Sequence, residues 1–117
     1  MTVQVRRLLK RQDFLKVKGL GRRVSAQAFV LQWLEVPEET GLGVGFTASG
    51  ALGNSVKRNR ARRRLKAAFD EMCRCNKDAA GQGRWFVLVA KMPMFDIDYT
   101  YLLKDMKKAL NEAGVSC

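Results

Sequence analysis

The segment from Gly53 to Lys66 limits what this chain can fold into more than any other. Its last ten residues, from Lys57 onward, carry seven basic side chains and no acidic one. After Gly53 the segment contains neither glycine nor proline, which predicts a helix with a dense positive charge. At 100° per residue the helix also has an apolar stripe, formed by Ala61, Leu65, Ala68, Phe69 and Met72. One side of this helix therefore packs against a core.

The basic side chains of this helix need a partner. Helical spacing predicts that most of them lie on a solvent-facing arc, namely Arg60, Arg63, Arg64 and Lys66. Arg58 lies near the apolar stripe and has to extend toward solvent or find a partner. Asn54 and Ser55 are both suitable N-cap residues, and free backbone amides at a helix start favour an anion. Phosphate is the natural ligand; the alternative, a solvated charged face, usually mixes both signs.

Composition indicates a folded, strongly basic chain. With 117 residues and 47% hydrophobic content, we expect one domain spanning residues 1–117. Lys and Arg total 22 against 11 Asp and Glu, which gives a net charge of +11 and predicts a polyanionic partner. Eight of the basic residues fall in residues 6–23 and seven in residues 57–66, so the charge is clustered into a binding surface.

Several classes of protein do not fit this sequence. No apolar run approaches the roughly 18 residues of a membrane span, so we expect a cytoplasmic protein with neither a membrane nor a small-molecule partner. The three cysteines, without any histidine, do not form a zinc site and are expected to be free thiols. The absence of histidine excludes His-dependent acid–base chemistry, and the acidic residues are scattered. We therefore expect no active site in the protein itself.

The remaining patterns predict an α+β domain with the element order α-β-β-β-α-β-α. Residues 1–9 form a basic arm without clear periodicity, suited to follow a phosphate backbone. The predicted helices cover residues 10–18, 55–76 and 98–113, and Gly19 and Gly21 close the first of them. The predicted strands cover residues 22–24, 28–36, 42–48 and 85–90. We expect residues 28–36 and 42–48 to pair as an antiparallel hairpin, and residues 85–90 to form a central strand.

Alternation within residues 28–36 predicts two different strand faces. Phe29, Leu31 and Trp33 are expected to pack on a helix, while Val30 and Gln32 face the less covered side. Phe14, in the first helix, has two interpretations that the pattern leaves open. It is either a core anchor or an aromatic available for stacking on a ligand.

Two stretches resemble one known family. Gly53-Asn54-Ser55-Val56-Lys57-Arg58-Asn59-Arg60, followed by Arg62-Arg63 and Leu65, resembles the signature helix of the bacterial ribonuclease P protein subunit. Leu8-Leu9-Lys10-x-x-Asp13-Phe14-x-x-Val17 is similar to the N-terminal helix of that family. The resemblance covers about residues 7–113. It implies a small sheet in which the basic helix forms a left-handed β-α-β crossover, whereas the general rule for such crossovers is right-handed.

The resemblance also implies a function. Members of this family assist a catalytic RNA that removes the 5′ leader of precursor tRNA by phosphodiester hydrolysis, with Mg²⁺ and the catalytic centre supplied mainly by the RNA. The implied contacts with the RNA subunit are Lys57, Arg58, Asn59, Arg60, Arg62 and Arg63. The implied contacts with the single-stranded leader are Phe14, Lys18, Val30, Gln32, Arg62 and Lys66. From composition alone, a ribosomal protein or an RNA chaperone is an alternative, and a DNA-binding domain is a weaker one because no helix-turn-helix is visible.

Overall fold

A computed structural model of the protein describes residues 5–7, 11–36, 42–48, 53–74 and 83–113. In chain order, these residues form five strands, three α-helices and one 3-10 turn. The strands are β1 (Val5–Arg7), β2 (Arg22–Ser25), β3 (Phe29–Glu35), β4 (Leu42–Ala48) and β5 (Arg84–Ala90). The helices are α1 (Arg11–Leu20), α2 (Ser55–Arg74) and α3 (Tyr99–Glu112), and the 3-10 turn, Met92–Phe95, precedes α3. The predicted α+β class and element order are confirmed, with β1 as an additional short strand.

The described strands form one mixed sheet in the order β1-β4-β5-β3-β2. β3 pairs antiparallel with β5, whereas β4 pairs parallel with β5 on its other side. The predicted antiparallel hairpin of residues 28–36 and 42–48 is therefore wrong, because β5 lies between these two strands. The prediction that β5 is central is confirmed, as is the edge position of β2. Residues 37–41, which would form the turn of that hairpin, lie outside the described residues.

The β4-α2-β5 unit is a crossover between two neighbouring parallel strands. Parallel strands cannot be joined by a tight hairpin, and a helix is the usual connection. The basic helix thus occupies the place in the fold that the family resemblance implies. The left-handedness of this crossover stays a prediction.

One face of the sheet carries the main core. Phe29, Leu31 and Phe86 of the sheet pack there with Leu65 and Phe69 of α2. Phe69 makes an edge-on aromatic contact with Phe46, with the ring centres 5.8 Å apart. α3 completes this layer with a buried row formed by Leu102, Met106, Ala109 and Leu110. The apolar stripe predicted for α2 is confirmed, because Ala61, Leu65, Ala68 and Phe69 are all buried.

The opposite face of the sheet is covered by α1. Val17 of α1 is fully buried in a second, smaller cluster with Val36, Trp85 and Val87, and Phe14 packs against its side. In the register of β3 with β5, Val30 pairs with Val89 and Gln32 with Val87. Since alternate residues of a strand point to opposite faces, Val30 and Gln32 lie on the α1 face, away from Phe29 and Leu31. The sheet therefore separates α1 from the apolar stripe of α2.

α1 ends two residues later than predicted. It continues through Gly19 to Leu20, and the Gly21 amide donates a hydrogen bond of 2.9 Å to the Val17 carbonyl oxygen. A Cβ atom on Gly21 would lie 2.3 Å from the Trp33 carbonyl oxygen, so only glycine fits where the chain passes this close to β3. Around Gly19, by contrast, a Cβ would meet nothing within 4 Å. Gly21 alone carries the role that the sequence assigns to both glycines.

Candidate nucleic-acid interface

The start of α2 is held by a specific cap. Asn54 is the N-cap residue, because its Oδ1 accepts a hydrogen bond of 3.0 Å from the Lys57 amide while its carbonyl oxygen accepts one from the Arg58 amide. Gly53, with φ of +115°, turns the chain into this cap in a conformation that side chains other than glycine rarely adopt. Of the two N-cap candidates in the sequence, Asn54 is therefore the one used.

The first turn of α2 concentrates positive charge. It contains no acidic residue, and both Lys57 and Arg58 lie within it. The amides of Ser55 and Val56 have no intrahelical acceptor because they belong to the first turn of the helix. The positive end of the helix dipole is at the same place, so each neighbouring cation is destabilised by some tenths of a kcal/mol. A bound anion would remove this repulsion.

The cations of α2 from Lys57 to Lys66 fall into three environments. Lys57, Arg60, Arg63 and Lys66 are exposed, and so is Asn59. Lys66 also forms an exposed ion pair of 2.8 Å with Asp70, one turn further along the helix. Arg60, Arg63 and Lys66 occupy the outer arc that helical spacing predicts, and Lys66 shares its charge with Asp70.

Arg58 and Arg62 are half-buried beside the apolar stripe. The Nε atoms of both are buried without a hydrogen-bond partner among the described residues. A buried donor that is left unpaired costs about 1–3 kcal/mol, so such a group in a folded protein is normally satisfied by water or by a ligand. Because a guanidinium has five donors in a planar fork, both residues are suited to bind a phosphate that approaches this flank of α2.

Arg64 is in a third environment, and its predicted solvent-facing position is wrong. It is half-buried, and its two terminal nitrogens donate hydrogen bonds to the carbonyl oxygens of Met94 and Ile97. Both acceptors belong to the connection between β5 and α3. The physical reason is that α3 packs beside α2, so the flank of α2 that carries Arg64 faces protein. Arg64 therefore holds the two helices together and is not available to a ligand.

The residues predicted to bind a single strand on the α1 side are close to one another in the fold. Phe14 is half-buried at the edge of the second cluster, and Lys18 follows it one turn later as an exposed residue. Val30 is buried and Gln32 is half-buried on the sheet face that α1 covers. Phe14 therefore packs in part against the core and remains in part accessible, which is consistent with both of its interpretations.

Arg62 and Lys66 are placed differently from the other predicted leader-binding residues. They lie on α2, whose apolar stripe packs against the opposite face of the sheet. The structure thus brings together Phe14, Lys18, Val30 and Gln32 in one group, and Arg62 and Lys66 in another. A strand that contacts both groups has to pass around an edge of the sheet.

Sequence reasoning missed part of the α1 face. Since β4 pairs with β5, the face continues past Val87 and Val89 to Gly45 and Thr47 of β4. The predicted hairpin concealed this extension because it placed β4 next to β3. Gly43 and Gly45 alternate along β4 on this face, and both are buried. Glycines inside a strand often mark a place where another segment or a ligand approaches the backbone closely, and this is the signal that the sequence offered here. Lys16 was not among the predicted site residues either. Its Nζ atom lies 5.5 Å from the centre of the Trp85 ring, on the side of the sheet that α1 covers.

Within the part of the chain that the structure describes, no three His, Cys, Asp or Glu side chains come together as a metal site. Among the helices described, none is both long and apolar enough to cross a membrane. The expectation that the three cysteines are free thiols stays a prediction. Cys75 and Cys117 lie outside the described residues, and the side chain of Cys73 is not described.

The arrangement defines a class: a small α+β protein in which a cation-rich crossover helix begins at an Asn54 cap. A family model for ribonuclease P matches residues 3–114. Over 97% of its length the chain is 36% identical to the ribonuclease P protein component of Paramagnetospirillum magneticum, covering 86% of that protein. It is 34% identical to the component of Gluconacetobacter diazotrophicus, with 98% and 97% of the two chains covered. The chain belongs to the ribonuclease P protein family.

Solved structures agree with the fold. The ribonuclease P protein of Staphylococcus aureus superimposes with a TM-score of 0.77 at 23% identity, over 97% of this chain and all of the other. The protein from Thermotoga maritima gives a TM-score of 0.69 at 21% identity, over 91% and 96%. At these identities the likeness concerns the fold alone.

Proposed function

We propose that this chain is the protein subunit of ribonuclease P and assists a catalytic RNA in removing the 5′ leader from precursor tRNA. The observation that carries the proposal is the start of α2, where Asn54 caps a first turn without acidic residues and two half-buried arginines have unpaired donors. Membership of the ribonuclease P protein family supports RNA as the polyanion. Both partners are RNAs of the cytoplasm, and the protein would work there.

In this proposal α2 docks on the RNA subunit. The contact residues are Lys57, Arg58, Asn59, Arg60, Arg62 and Arg63. Arg60 and Arg63 are exposed on the outer arc, and the planar guanidinium binds phosphate through two parallel hydrogen bonds. Arg58 and Arg62 gain the acceptors that they lack within the described protein. The free amides and the dipole at the helix start add to the attraction for phosphate.

The 5′ leader would lie on the α1 side of the sheet. Phe14 offers part of an aromatic ring for base stacking, Lys18 offers a charge, and Val30 and Gln32 contribute to the floor. An aromatic ring above a flat strand surface accepts unpaired bases without demanding a sequence. Arg62 and Lys66 would contact the leader only where it passes around the sheet toward α2.

The chemistry of cleavage would belong to the RNA subunit. The chain has no histidine, so His-dependent acid–base mechanisms are not open to it. Mg²⁺, the cofactor of the complex, would be held mainly by RNA phosphates. The protein contributes by screening the repulsion between two RNAs, since its net charge is +11.

Reconstitution tests this function directly. The purified protein is mixed with a bacterial ribonuclease P RNA at a low Mg²⁺ concentration, at which the RNA alone is inactive, and cleavage of precursor tRNA is followed. We expect correct removal of the leader with the wild-type protein and much weaker cleavage with Arg60→Ala. Absence of stimulation at every Mg²⁺ concentration would overturn the proposal and favour a different RNA partner.

A further inference from the structure

The outer face of α3 carries a second group of cations that the proposed function does not use. Tyr101, Lys104 and Lys108 follow one another at spacings of three and four residues, so they lie on one side of the helix. All three are exposed, and Tyr101 is 62% exposed, although it is one of the larger apolar side chains of the protein. The Nζ atom of Lys104 lies 5.6 Å from the centre of the Tyr101 ring. An exposed aromatic ring among lysines is a surface suited to nucleic acid.

The acidic residues of α3 lie on one flank of this face, the flank toward β2. Asp105 and Glu112 line a groove between α3 and the β2 strand, together with Lys108 of α3 and with Arg23, Ser25 and Ala26. Helical spacing places Lys107 on the opposite flank of α3, toward α2. Asp105 and Glu112 thus lie beside Lys108 on the β2 flank of α3, whereas Lys104 lies outward and Lys107 lies toward α2. A solvated helix surface with no partner usually mixes the two signs.

α3 and α2 form one layer on the same face of the sheet. Arg64 joins them through the carbonyl groups before α3, and the Tyr99 hydroxyl donates a hydrogen bond of 2.9 Å to Glu71. Partial burial raises the pKa of Tyr99, and so does its bond to Glu71, so this contact keeps its proton at neutral pH. Glu71, the acidic residue between the two helices, is therefore engaged by protein. The basic arc of α2 and the basic face of α3 are neighbours, since packed helices lie about 8–10 Å apart.

We propose that Tyr101, Lys104, Lys107 and Lys108 form a second contact with the RNA subunit, which extends the docking surface of α2 across α3. The lysines bind backbone phosphates, and Tyr101 stacks on an unpaired base. The RNA subunit fits better than the leader, because α3 shares its layer with α2 and the sheet separates both helices from α1. This inference rests on the proposed function.

The test is the affinity for a bacterial ribonuclease P RNA without substrate, measured over a range of salt concentrations. The double variant Lys104→Ala/Lys108→Ala should bind severalfold more weakly and lower the slope of log K against log[salt] by about 1.4. Tyr101→Ala should weaken binding about fivefold or more, and Tyr101→Phe should restore it. The core side of α3 is unchanged in all three variants, so their melting temperatures should match that of the wild type.

The matched control is Lys16→Ala/Arg22→Ala, which removes the same charge from exposed positions outside the α2–α3 layer. An equal loss in the control would show that only net charge matters and would overturn the inference. So would α3 variants that bind the RNA subunit normally, or that lose affinity only for precursor tRNA. If Arg60→Ala weakens binding while the α3 variants do not, the inference fails and the proposed function stands. If the wild-type protein does not bind the RNA subunit, both fail.

Discussion

Arginines with the same local sequence have different roles in this protein. Arg60 and Arg64 lie one turn apart in an unbroken basic helix, and nothing in the local pattern distinguishes them. Arg60 is exposed, whereas Arg64 donates two hydrogen bonds to backbone carbonyl groups. The difference depends on where α3 packs, which is a tertiary property. The charge of a side chain could be predicted from the sequence, but its partner could not.

Exchanging these two arginines for alanine should separate binding from stability. Arg60→Ala should weaken binding to the RNA subunit by about 1–3 kcal/mol and leave the free energy of unfolding unchanged. Arg64→Ala should instead lower the free energy of unfolding by about 2 kcal/mol, because two carbonyl groups lose charged donors. Urea denaturation and RNA titration of both variants provide the measurements. Equal stability losses in the two variants would contradict this assignment.

Phe14 has two interpretations, a core anchor or a residue that stacks on a base, and a substitution separates them. Its half-buried ring predicts that Phe14→Ala costs about 1–3 kcal/mol in affinity for precursor tRNA with a leader of several nucleotides, and little for mature tRNA. Lys18→Ala should lower the salt slope of leader binding by about 0.7, because one phosphate contact is lost. Phe14→Leu, which keeps an apolar side chain in the second cluster, controls for folding. Equal losses for tRNA with and without a leader would return Phe14 to a purely structural role.

At the scale of the elements, local sequence predicted the helices and strands but not how the strands pair. The bounds of α2, β3, β5 and α3 come within about two residues of their predicted ends, because caps, periodicity and apolar runs are local signals. The prediction that β4 pairs with β3 rested on the preference of strands to pair with neighbours in sequence. This prediction is wrong, because β5 lies between them. The pairing of β4 with β5 spans the whole of α2 and depends on how α2 packs on the sheet. No spacing within either strand encodes it.

The two glycines at the end of α1 provide a test at this scale. Gly19 lies inside the helix with open space around it, so Gly19→Ala should raise the free energy of unfolding by up to about 1 kcal/mol. Gly21→Ala should lower it by more than that, because the new methyl group would collide with the backbone of Val17 and Trp33. Thermal melts of the two variants decide the matter. A stabilising Gly21→Ala would show that β3 can move away from α1.

At the scale of the whole molecule, the sheet separates α1 from α2 and α3, and local sequence patterns could not predict this separation. The sequence predicted which residues are cationic or aromatic, and it placed Val30 and Gln32 on the strand face opposite Phe29 and Leu31, although Val30 is buried there. It did not show that α1 lies on one side of the sheet and both α2 and α3 on the other. That division assigns Phe14 and Lys18 to one surface and Arg60 and Lys104 to another. In the proposed function, these two surfaces contact two RNA elements at the same time.

A protein that works by contacting two RNAs should be inactive alone and should lower the Mg²⁺ requirement of its partner. We expect the RNA-free protein to leave precursor tRNA intact at any Mg²⁺ concentration, since the chain has no histidine and its carboxylates are scattered. With the RNA subunit, it should shift half-maximal cleavage to lower Mg²⁺, because its positive charge screens the repulsion between the two RNAs. An unrelated basic protein of similar net charge serves as the control, and it should produce a smaller shift because its charges are not held on two separate surfaces. Cleavage by rigorously RNA-free protein would place an active site in the chain and contradict this division of labour.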